Sequence, residues 1–68
     1  MISENQKEVQ QQIIGLKKEL DKYPMYAIFS NKLSGLIKRM DKEEFSQDKL
    51  DDAKKLFGSL SAMFNVNK

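Results

Sequence analysis

Residues 20–29 read Leu-Asp-Lys-Tyr-Pro-Met-Tyr-Ala-Ile-Phe, and the proline in that stretch decides the fold. Pro24 lacks an N–H and its ring clashes with a preceding helical turn, so a helix accepts it only in its first turn. A helix arriving from the N-terminal side must stop before it, and a new one can begin on it. Upstream, Ile2, Gln6, Val9, Ile13, Leu16 and Leu20 recur at alternating steps of four and three, the spacing of one helix face. Ser3 and Gln6 form the S-x-x-Q pattern of a capping box, so this first helix is expected over about 3–21. Downstream, Tyr26, Phe29, Leu33, Leu36 and Met40, widened by Ile37, predict a second helix over about 25–40.

A second break lies at residues 41–52, DKEEFSQDKLDD. Asp41 is read as the cap of a short turn through Glu43, Glu44 and Phe45. Ser46 is the better cap for a third helix over about 47–64, with Asp48 against the positive end of its dipole. The third stripe is Leu50, Ala53, Phe57, Leu60 and Phe64, flanked by Leu56 and Met63. Residues 65–68 read as a frayed tail. Short connections make neighbouring helices antiparallel, and no stretch alternates with a period of two. The expectation is a single all-α domain over 1–68, an up-down-up three-helix bundle.

The chain has 68 residues, 40% apolar and 32% charged, with a net charge of +2, which suits a folded domain and not a disordered one. A core this small rarely supplies more than about 3–5 kcal/mol unless it is stapled. Cysteine and histidine are both absent, which removes disulfides, thiolate metal sites, the commonest zinc ligand and the commonest general base. No metal and no cofactor is expected. Residues 1–5 lack a basic block followed by an apolar run, so no secretory signal is expected, and no apolar run is long enough to span a membrane. A cytoplasmic setting fits these absences. Lysine outnumbers arginine eleven to one, a bias of AT-rich microbial or viral genomes.

Gly15, Gly35 and Gly58 each sit inside a predicted helix, where glycine costs about 1 kcal/mol relative to alanine. On the heptads that place the stripes at a and d, all three fall at b or c, off the core. They leave room for a partner's backbone to approach. Ile14 and Ile28 are apolar residues off the stripes, and Met25 lies near the start of the second helix. The row Ile28, Asn31, Gly35, Lys38, Lys42 is apolar at one end, flat in the middle and basic at the other. Residues 23–42 carry Lys32, Lys38, Arg39 and Lys42 against Asp41 alone, so the middle helix holds the positive charge.

These features predict a non-enzymatic protein-interaction module, a regulator, inhibitor or adaptor that docks through a helix face. Ile14, Ile28, Gly35 and Lys38 form the expected protein-binding surface, with Arg39 and Lys42 steering the encounter. Self-association is expected, with a C2 dimer favoured. Nucleic-acid binding through the basic helix is the alternative from another class, and a small scaffold or assembly component is a third. A pI of about 8.9 with a single arginine is a weak basic signal for nucleic acid. A helix-turn-helix is disfavoured because Asp48, Asp51 and Asp52 crowd the start of the third helix, where phosphates would be repelled. The 41–52 stretch fails as a calcium loop: Ser46 stands where glycine is needed and Asp52 where a bidentate glutamate is needed. Tyr23, Tyr26 and Phe29 are read as core, with Tyr23 partly exposed.

Overall fold

Ser3 starts the first helix as its sequence implies: its Oγ accepts from the Gln6 N–H at 3.2 Å. A computed structural model describes residues 2–66. Among them lie three α-helices, α1 (Glu4–Leu20), α2 (Ala27–Lys42) and α3 (Gln47–Val66), and a single 3-10 turn over Pro24–Tyr26. The bundle is up-down-up, and α1 packs against both other helices. The core is built from the predicted stripes: Val9, Ile13, Leu16 and Leu20 from α1, Leu33 and Met40 from α2, and Leu50, Ala53, Leu60 and Phe64 from α3. Tyr26 and Phe45 complete it from the connections. Phe29, Leu36, Ile37, Leu56, Phe57 and Met63 pack against it half-buried.

Several boundaries move, each for a local reason. Proline opens a 3-10 turn before regular α2 begins at Ala27, so the helix starts later than its stripe suggested. At its other end α2 continues through Asp41 to Lys42. Asp41 therefore caps nothing; its carboxylate accepts from Gln10 Nε2 at 2.8 Å. Ser46 does cap α3, its Oγ accepting from the Lys49 N–H at 3.3 Å. Helix α3 carries on through Asn65 and Val66, where fraying was expected, and Asn67 and Lys68 lie outside the described residues.

Only half of the capping box forms. The Gln6 side chain turns inward and is fully buried. Its Nε2 donates to the carbonyls of Met40 at 2.9 Å and Glu43 at 2.7 Å, and its Oε1 accepts from the Phe45 N–H at 2.7 Å. Met40 belongs to the last turn of α2, whose carbonyls have no intrahelical donor. No glycine closes this end, and Glu43 leaves it in an extended conformation. Gln6 supplies the missing donor from another helix. One turn further along, Gln10 Nε2 reaches the Ile37 carbonyl at 3.2 Å.

The opposite end is closed by rings. Tyr23 lies 5.6 Å from Phe64 and 6.0 Å from Tyr26, and Tyr26 lies 5.8 Å from Phe64. Tyr26 is buried and Phe29 half-buried, while Tyr23 remains 42% exposed. Here Asp21, at the end of α1, accepts from Lys17 Nζ at 2.8 Å and from the Ser30 hydroxyl of α2. These donors, Lys17 first and Ser30 second, hold the Asp21 carboxyl below its ordinary value. A depressed carboxyl pKa contributes stability that is complete above the unfolded value of about 3.9 and is lost as pH falls through the folded value. Ser30→Ala should move the Asp21 titration upward, read by carboxyl-carbon NMR, and shrink that acid loss. An unmoved titration would show that the hydroxyl does not donate to it.

Candidate interaction face

The packing of α2 fixes which side it leaves outside. Ser30, Leu33 and Met40 are buried toward the other helices, so the row half a turn away points outward. That row is Ile28, Asn31, Gly35, Lys38 and Lys42, and all five are exposed. Ile28 is 71% exposed and Met25, just before it, 77%. Together with Tyr23 they are the large hydrophobic side chains exposed among the described residues. A Cβ built on Gly35 would meet nothing within 4 Å, so the middle of the row is open.

The charge on this face is one-sided. The single acid of α2, Asp41, is held on the α1 side by Gln10. Lys38 and Lys42 make no ion pair among the described residues. A face with unpaired cations at one end and exposed apolar side chains at the other is electrostatically complementary to an acidic surface.

Two of the expected site residues stand apart. Ile14 is half-buried in the same α1 row as Gln10 and Asp21, both of which bond to α2. It lies on α1, apart from the α2 row that carries Ile28. Arg39 is engaged within the chain: its Nη2 lies 3.4 Å from Glu43 Oε1 and its guanidinium 5.6 Å from the centre of the Phe45 ring. Lys49 of α3 approaches the same pair, 3.7 Å from Glu43 and 5.7 Å from the Phe45 ring. Arg39 thus helps clamp the α2–α3 connection.

The stripes did not reveal the grooves between helices. One, of about 420 Å³, runs between α1 and α3 over Leu16, Phe57 and Phe64, with Gly15 and Ser61 among its lining residues. Another, of about 250 Å³, lies between α2 and α3 over Leu36, Ala53 and Leu56. Among the described residues no group of three or more acidic side chains is placed to hold a metal ion. Comparison of the chain with protein-family models, with curated proteins and with solved structures finds no match.

Proposed function

We propose that this protein is a non-enzymatic interaction module, a regulator, inhibitor or adaptor that works by docking another protein on the outer face of α2. The observation that supports this reading is the exposed row from Ile28 to Lys42, with its open glycine, its unpaired lysines and its lack of a free carboxylate. The partner offers an acidic helix or edge with a small apolar patch. The reading includes a cytoplasmic setting, with which the absence of cysteine is compatible. No helix among the described residues is long and apolar enough to cross a membrane.

Gly35→Arg tests the face directly. It suits a helix and leaves the face basic, adding one positive charge, yet fills the open centre of the row. Immobilised wild type should retain a partner from its host's extract that Gly35→Arg loses and Gly35→Ala keeps, with equal helicity by circular dichroism. Equal retention by all three would remove α2 as the docking face. Salt-sensitive binding of labelled duplex DNA that disappears with Lys38→Ala and Lys42→Ala would move the reading to nucleic acid.

A further inference from the structure

Two exposed rows of this molecule share one spacing and have opposite character. The α2 row, Ile28, Asn31, Gly35, Lys38, Lys42, advances by three, four, three and four residues. On α3, Asp48, Asp52, Lys55, Ser59 and Ala62 are all exposed and advance by four, three, four and three. Laid antiparallel, the rows match position for position over about 21 Å, at about 1.5 Å per residue. Lys42 meets Asp48 and Lys38 meets Asp52. Lys55, the longest side chain of its row, meets Gly35, where the space for a side chain is empty. Asn31 meets Ser59, and the apolar ends Ile28 and Ala62 meet each other.

We propose that the α2 face receives the outer face of α3 from a second copy of this chain. This rests on the reading of α2 as a docking face and names its occupant. An α2-to-α2 contact, the simplest C2 arrangement, is disfavoured by charge. Centred on Gly35, it would set Lys32 of each copy against Lys38 of the other, with no free acid on either helix to compensate. The α2-to-α3 contact pairs opposite charges instead. It also needs no shift along the bundle axis. Only residues 43–46 separate the two helices, so Lys42 and Asp48 stand nearly level within one chain. Such a contact is heterologous: each copy gives α2 to one neighbour and α3 to another, which builds a ring or a continuing array and not an isolated pair. The matched rows are one helix face about 21 Å long on each copy, a smaller patch than the ~800 Å² each partner gives a standard interface. The contact is therefore weak, salt-sensitive and concentration-dependent.

Light scattering on the full chain at low ionic strength tests this. Wild type should gain apparent mass with concentration, pass beyond a dimer, and return to monomer mass in about 0.5 M salt, where the screening length falls to a few ångströms. Lys38→Glu with Lys42→Glu should stay monomeric, and so should Asp48→Lys with Asp52→Lys. Mixing the two variants should restore assembly, because the reversed α2 of one fits the reversed α3 of the other. Asp52→Lys alone spares the first turn of α3 and should weaken assembly if the double variant proves poorly folded. Wild type that stays monomeric at every concentration, or a mixture that fails to assemble while both variants are folded, would overturn the proposal. If wild type stays monomeric while Gly35→Arg still loses a host partner, the docking face stands and only its occupant is wrong.

Discussion

Gln6→Leu is expected to lose about 2–4 kcal/mol and leave the chain at the edge of unfolding at room temperature, because two carbonyls and one N–H are left without partners. Leucine fills nearly the same volume, so no cavity contributes. The groups stranded are the Met40 and Glu43 carbonyls and the Phe45 N–H, which close α2 and open the path to α3. Against a total of about 3–5 kcal/mol for an unstapled domain of this size, that loss is most of the stability. A urea melt followed at 222 nm reads it. Gln6→Glu separates hydrogen bonding from shape. At neutral pH its carboxylate faces two carbonyl oxygens, so the folded state raises its pKa. Its stability should be greatest below the ordinary glutamate value of about 4.3, where the acid can donate once, and should fall as pH rises through the raised folded value. A Gln6→Leu chain that melts within about 0.5 kcal/mol of wild type would show that the connection closes without this amide.

Gln6 also shows where the sequence stops being legible. Its position was visible twice, in the apolar stripe and in the capping box, and the two readings demand different things of one side chain. The stripe prevailed because Gln6 finds a full set of partners inside, 34 to 39 residues away in sequence. Spacing cannot reveal such distant partners. The helices themselves were legible, since Pro24, Ser3 and Ser46 act locally and the stripes need only their own periodicity. Asp41 was misread for the complementary reason. An acid before a turn resembles a cap, but Gln10 offers it a hydrogen bond inside α2's last turn. The candidate face divides in the same way. Ile28, Gly35, Lys38 and Lys42 were placed correctly on the outside because the outside of α2 follows from its stripe. Ile14 lies half-buried on α1, and Arg39, though exposed, pairs with Glu43 beside the Phe45 ring, contacts that helical spacing alone does not reveal.

Changing Gly15, Gly35 and Gly58 together to alanine is expected to stabilise the protein by about 2–3 kcal/mol, from up to about 1 kcal/mol at each helix-interior site. The structure removes every folded-state reason for glycine at these positions. All three are helical, none has a positive φ, and a Cβ at each meets nothing within 4 Å. They lie on three different helices, so the gains should add. At about 4–8 °C per kcal/mol for a domain of this size, the thermal midpoint by circular dichroism should rise by roughly 10–20 °C. The single variants then distinguish a surface kept open from one that is merely tolerated. Alanine at Gly35 adds one methyl at the centre of the docking row and should leave assembly nearly intact, whereas Gly35→Arg should abolish it. A triple variant that melts with wild type would mean that alanine meets an obstacle at one or more of the three sites. Measuring the singles separately would locate it, and the open space around that glycine's Cβ position would be contradicted there.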